Sequence, residues 1–221
     1  FKKIAFVSES MNRTFERIIG NSMDNKRITI NNLINYTDVE SKANEIVDDV
    51  SKSNVPTFLY VGRLTEYDKK LSRLFEACEL LKNDECEFRL LMVGDGEDRA
   101  KYEKMVDSKF LEKYIIFLAK KSNPYPYFKM SDCLVLTSDY EGFPVVYNEA
   151  RLLGIPIITT DVSDSRNVID GKFGIVVEKD PIAIYNAMKH FIENGYEVKE
   201  KFDAKSYNEK IIGLVESVIS E

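Results

Sequence analysis

Along this chain, short continuous apolar runs alternate with longer stretches whose apolar positions recur every three or four residues. The runs TFLYVG (57–62), FRLLMVG (88–94), YIIFLA (114–119), CLVLTS (133–138), IPIITT (155–160) and FGIVV (173–177) read as strands. Their lack of polar alternation predicts burial on both faces, as in a mostly parallel sheet. Between the first two runs, Leu71, Leu74, Phe75, Cys78 and Leu81 fall on one face of a helix over 70–82, and a charged helix is predicted from Glu97 to Ser108. Alternating strands and helices of this kind predict an α/β domain with a doubly wound, Rossmann-like parallel sheet. Its ligands are expected at the carboxyl ends of the strands.

Two regions lie outside that pattern. Ahead of it, KKIAFVSES (2–10), a helix around Met11 to Ile19 and a strand at Arg27 to Ile30 form a short βαβ piece. A polar helix from Val39 to Val50 and the stretch SKSNVP then lead into the first main strand. Behind it, FDAKSYNEKIIGLVESVIS (202–220) reads as a helix added after the sheet is complete. The chain has 221 residues and opens at Phe1 without a methionine, so it is expected to be a piece of something longer.

Composition narrows the function classes. The 37 acidic and 31 basic residues leave a net charge of -6, which argues against nucleic acid as a general partner. No apolar stretch approaches the ~18 residues needed to span a bilayer, and the apolar part of the opening segment is too short for a signal peptide. Cys78, Cys86 and Cys133 lack metal-type spacing; free thiols without a disulfide framework suggest a reducing, cytoplasmic setting.

Candidate chemistry falls where strands end. In VGRLTEYDKK, Gly62 lets backbone approach a ligand closely, while Arg63 and the pair Lys69 and Lys70 offer a fork and a point charge suited to a diphosphate. VGDGED (93–98) has half of a glycine-rich phosphate loop, but its acids would repel phosphate. It reads mainly as a tight turn with acids favouring a helix N-terminus. In KKSNPYPYF (120–128), Pro124 and Pro126 stiffen a loop whose tyrosines either face a planar base or simply pack. YEGFPVVYNEA (140–150) is the richest stretch: Glu141 and Glu149 are separated by seven residues around a Gly-Phe-Pro turn. Pro144 is placed at the first turn of a helix, whose free amides suit phosphate. The two carboxylates suit vicinal sugar hydroxyls. The alternative for both glutamates is an ordinary helix-start acid and a surface acid.

Taken together, VGRLTEYDKK, NPYPYFKMSDCLVLTSDYEGFPVVYNEA and GIPIITTDV resemble the retaining, nucleotide-sugar-dependent glycosyltransferases of the GT-B fold, the family labelled group 1 or family 4. The resemblance covers roughly residues 57–195 as the C-terminal, donor-binding half. It implies a division into residues 1–35 (remnant of the N-terminal, acceptor domain and link), 36–201 (donor-binding domain) and 202–221 (crossover helix). It further implies Arg63, Lys69 (with Lys70 left open) and Glu141 as catalytic residues. Gly62, Gly142, Phe143, Pro144, Glu149 and Asn123, in the loop that holds the base, are implied as donor-binding residues.

No cofactor or metal is implied, the substrate being a nucleoside diphosphate sugar, with a UDP-sugar favoured. The acceptor, a carbohydrate or a lipid-linked one, would be met by the missing N-terminal domain, which leaves peripheral membrane attachment open. The expected activity is sugar transfer with retention in bacterial polysaccharide or glycoconjugate synthesis, the chain alone being inactive. The alternatives are a GT-B epimerase or phosphorylase and a non-catalytic nucleotide-binding or subunit-interaction module. Asn167 stands where many relatives carry glutamate, Ala119 where many carry glycine, and the sole histidine, His190, lies in a late amphipathic helix.

Overall fold

The structure, a computed structural model, describes residues 3–220. The six apolar runs form six strands: β3 (Thr57–Val61), β4 (Arg89–Val93), β5 (Ile115–Phe117), β6 (Cys133–Leu136), β7 (Ile157–Thr160) and β8 (Gly174–Val177). They pair in the order β5-β4-β3-β6-β7-β8, all parallel. Counted within this sheet, that is the doubly wound order 3-2-1-4-5-6, with its switch point between β3 and β6. The two richest candidate loops follow those two strands.

Burial follows the absence of alternation. Phe58, Leu59 and Tyr60 of β3 and Leu134 and Val135 of β6 are inaccessible to solvent, which requires helices on both faces. The helix α4 (Leu71–Asn83) buries Leu71, Leu74, Phe75, Cys78 and Leu81, as its spacing predicts. Against it packs α9 (Pro181–Asn194), whose Phe191 ring lies 5.6 Å from that of Phe58. Cys78 and Cys133 are core residues, and His190 is exposed beside Asn194.

The N-terminal piece is a separate two-stranded parallel sheet, β1 (Ile4–Phe6) with β2 (Arg27–Thr29), carrying the helix α1 (Glu9–Ile19). It docks onto the main sheet through Asp164, whose carboxylate accepts the Glu9 and Ser10 amides at 2.8 and 2.9 Å. Those amides lack helical partners, so an acid at a helix start is favoured. The final helix, α10 (Ala204–Ser220), holds the link between the two sheets. Asn208 exchanges both side-chain hydrogen bonds with the Ile34 backbone, and the Tyr207 hydroxyl donates to the Asn32 carbonyl. Among the described residues no helix is long and apolar enough to cross a membrane.

Three expectations are corrected. The helix expected over Val39 to Val50 is α2 (Tyr36–Lys42), capped by the Asn35 side chain. It stops because, beyond the buried Ala43, the next apolar residue, Ile46, is 96% exposed, while Asp49 is held by Tyr127 and Lys121. The helix expected from Glu97 begins at Arg99 (α5, Arg99–Ser108), because the Asp98 amide is tied to the Leu64 carbonyl. Finally, Pro144 precedes α7 (Val145–Leu152) instead of sitting in its first turn, with ψ 115° in the extended region.

Candidate functional site

The basic loop after β3 is built by its neighbour. Gly62 donates to Val93, Leu64 donates to Asp95, and Asp98 donates back to the Leu64 carbonyl at 3.1 Å. The Asp98 carboxylate accepts the Glu66 amide at 2.7 Å and so caps α3 (Glu66–Lys69), not its own helix. Gly94 and Gly96 permit this contact: a Cβ at Gly94 would lie 1.8 Å from the Gly62 carbonyl oxygen, and one at Gly96 2.4 Å from that of Leu64. VGDGED is therefore a backbone socket for the basic loop. The Glu66 carboxylate, which accepts the Tyr102 hydroxyl and the Ser72 side chain and amide, fastens its other side.

Lys70 ends α3 in the left-handed region at φ 51°. The buried Thr137 hydroxyl, at the end of β6, donates to the Lys69 carbonyl at 3.0 Å. Arg73 spans the same gap, donating to the Thr137 carbonyl and the Asp139 carboxylate, each at 2.9 Å. The loops after β3 and β6 are thus locked together at the switch point.

This lock brings Lys69 to Glu141. Its ammonium lies 2.5 Å from the Glu141 carboxylate, which also accepts the Ser138 hydroxyl at 2.7 Å; both side chains are about 15% exposed or less. Lys70 points instead toward Asp139, at 4.0 Å. Arg63 is 72% exposed and pairs with Asp68 at 3.1 Å. Burial raises the Asp68 carboxyl, but the Thr65 hydroxyl, Lys69 and Arg63 outweigh it and hold the group below the ordinary carboxylate range.

Gly142 and the turn that follows sit where the N-terminal piece meets the sheet. A Cβ on Gly142 would lie 3.1 Å from Val7 and 3.4 Å from Met11, while the Ser163 hydroxyl donates to its carbonyl. Phe143 and Pro144 are buried, the Phe143 ring edge-on to Tyr147. The result is an open cleft of about 990 Å³, lined by Arg63, Lys69, Glu141 and Gly142 on one side and by α1 on another. A second cavity of about 490 Å³ shares Arg63 with it. Its walls are Gly62, Gly94, Lys120, Lys121 and Pro124, the region where the resemblance places the base.

Glu149 lies apart from this cleft, half-buried on α7, where burial raises its pKa against a hydrogen bond from the Tyr125 hydroxyl. That phenol is pushed up to about 12 by burial and by Glu149. Asn123 is a brace: both its donors are spent on the Lys42 carbonyl and Glu45, and its oxygen accepts the Tyr125 amide. Any part it takes in binding a base falls to the backbone of its loop. Tyr127 is buried against Asp49, so packing accounts for it. Among the described residues no group of three or more metal-type side chains gathers.

Asp68, Arg73, Ser138, Asp139 and Lys179 belong to the site or its supports but were not singled out from the sequence, and Asp98 was read only as an acid at a helix start. Their partners lie up to 71 residues away, as in the Asp139 amide bound to the Asp68 carbonyl, a distance that local patterning does not register.

Comparison with known proteins follows the same outline. The family model described as "Glycosyl transferases group 1" matches residues 41–210. The chain is 34% identical over 130 residues to the lipopolysaccharide 1,6-galactosyltransferase of Salmonella typhimurium, covering 56% of this chain and 35% of that protein. It is 29% identical to the amylovoran biosynthesis glycosyltransferase AmsD of Erwinia amylovora, covering 70% of this chain and 43% of that protein. It is 27% identical to the Campylobacter jejuni transferase that acts on N-acetylgalactosamine-N,N'-diacetylbacillosaminyl-diphospho-undecaprenol, covering 80% and 49%. The chain therefore spans half or less of these relatives. Among solved structures, Anabaena HepE in complex with UDP superposes with a TM-score of 0.80 at 18% identity, over 98% of this chain and 64% of that one. The galactosyltransferase WaaB superposes with 0.72 at 24% identity, over 96% and 62%. At these identities the superpositions show the GT-B fold alone.

Proposed function

The chain belongs to the group 1 glycosyl transferases, and from that premise we propose that the intact protein transfers a sugar, with retention, from a nucleoside diphosphate sugar to an acceptor. The chain supplies the donor-binding part, with residues 1–35 as the edge of an acceptor domain and 202–221 as the helix returning to it. Bacterial polysaccharide or glycoconjugate synthesis is the setting, in keeping with the surface-polysaccharide relatives.

One observation carries the reading: the switch point holds Lys69 against Glu141 with Arg63 at the same cleft, next to a second cavity that shares Arg63. A nucleoside seated in the second cavity would direct its diphosphate past Arg63 toward Lys69. There the fork and the ammonium offset the charge that grows on the leaving group as the sugar–phosphate bond breaks. In this reading those cations, rather than a metal ion, meet the leaving diphosphate. The diphosphate takes over Lys69 from Glu141, freeing that carboxylate for hydroxyls of the transferred sugar. Glu149 receives the ribose hydroxyls. A UDP-sugar is favoured, consistent with neighbours solved with UDP and UDP-glucose.

The test is UDP release by the intact protein from UDP-glucose and UDP-galactose, with and without a cell-wall lipid extract as acceptor. Acceptor-dependent release, lost in Lys69→Ala and Glu141→Gln, is expected. Undiminished release in both variants, or transfer by this chain alone at the intact rate, contradicts the reading.

A further inference from the structure

We propose that Tyr67 and Tyr140 form a stacking platform for a pyranose ring of the acceptor saccharide at the outer rim of the cleft. The proposal rests on the donor-site reading of that cleft and deepens it by naming what the rim receives.

The two tyrosines are large, exposed apolar side chains that the fold does not use for packing: Tyr67 is 81% exposed and Tyr140 67%. Single exposed aromatics are common and need no explanation. These two come from different loops, those after β3 and β6, yet their rings lie 6.4 Å apart and within 25° of parallel. Each immediately precedes a site residue, Tyr67 before Asp68 and Lys69, and Tyr140 before Glu141. The Lys69–Glu141 contact and the Arg73 clasp that lock the two loops therefore also set the spacing of the rings. Lys179, 5.6 Å from the centre of the Tyr140 ring and donating to the Asp139 carbonyl, steadies that ring.

The chemistry selects a sugar. An aromatic face is electron-rich and attracts the weakly positive axial C–H bonds of a pyranose, while rigid rings lose little conformational freedom on binding. Neither hydroxyl has a hydrogen-bond partner among the described residues, so both are free to meet sugar hydroxyls.

Depth selects the acceptor over the donor. The transferred sugar must reach Lys69 and Glu141, which are 15% and 14% exposed. The rings stand further out, where the rest of an acceptor chain leads into solvent.

The test uses the intact protein saturated with UDP and saturation-transfer NMR against the methyl glycosides of glucose, galactose and N-acetylglucosamine. Saturation should pass to ring C–H protons of at least one glycoside. It should fall about tenfold in Tyr67→Ala and Tyr140→Ala, as for loss of an aromatic anchor, and persist in Tyr67→Phe and Tyr140→Phe. UDP affinity, measured by calorimetry, should be unchanged in all four. UDP binding with no glycoside signal, or with a signal that the alanine variants leave intact, overturns the platform alone. Failure of the wild-type protein to bind UDP removes the donor reading and the platform together.

Discussion

Gly96→Ala tests whether VGDGED is a socket for the basic loop. The added methyl would lie 2.4 Å from the Leu64 carbonyl oxygen and 2.7 Å from its carbonyl carbon and nitrogen. Ordinary contact begins at 3.4 Å. One backbone must therefore retreat by about 1 Å, a displacement that near a reacting group costs ~100-fold in rate. Retreat of the 94–98 loop breaks the bonds from Leu64 to Asp95 and from Asp98 to Leu64, and loosens the Asp98 cap on Glu66. Retreat of the 62–66 loop moves Arg63 and the start of α3, hence Lys69. The expected stability loss is about 1–3 kcal/mol, the usual cost of overpacking, read as a lower urea midpoint with unchanged slope. Among molecules that remain folded, kcat/KM for UDP-sugar turnover by the intact protein should fall by one to two orders of magnitude, roughly. A folded Gly96→Ala protein with wild-type turnover and UDP affinity would refute the socket. Gly213→Ala, in α10 with nothing within 4 Å of the new methyl, serves as the control. It should leave turnover unchanged and stabilise by about 0.5–1 kcal/mol through helix propensity.

Other perturbations separate support from chemistry. Arg73→Lys should weaken turnover and cost about 2 kcal/mol in urea melts, because an ammonium cannot reproduce the planar double donation to Thr137 and Asp139; wild-type behaviour would show that the two loops hold together without it. Glu149→Gln should weaken UDP binding yet raise thermal stability at neutral pH, since burial disfavours the charged carboxylate. The sign in pH follows from its raised pKa. The stability present below the ordinary carboxylate range falls as pH rises through the folded-state value, because the unfolded chain gives up its proton first. The Gln variant should lack that fall, and identical pH–stability curves for variant and wild type would count against the burial argument.

The strands were legible because continuous Val, Ile and Leu runs have one economical fate, burial between helices; β3 to β8 all lie within the predicted runs. The gathering of Arg63, Lys69 and Glu141 at one cleft was legible because residues ending such runs collect at the carboxyl edge of a parallel sheet. The length of α2 was not: Val39, Val47 and Val50 are spaced like a helical face, whereas the chain beyond Lys42 turns so that Asp49 can meet Tyr127 and Lys121. The part played by Asp98 was half legible. Its acid does serve a helix start, but that of α3, 32 residues earlier, because pairing of β3 with β4 lays one loop across the other. Arg73 and Asp139 gave no sequence signal, since each is an ordinary charge until β3 and β6 become neighbours.

The central claim is that Arg63, Lys69 and Glu141 line a nucleotide-sugar donor site and that Glu149, apart from the cleft on α7, takes the ribose hydroxyls. Calorimetric titration of the protein with UDP, GDP and ADP, repeated with Arg63→Ala and Glu149→Ala, tests it most directly. The account predicts that UDP binds and that each variant loses about 1–3 kcal/mol, the worth of a charged hydrogen bond. UDP affinity unchanged in both variants would contradict it.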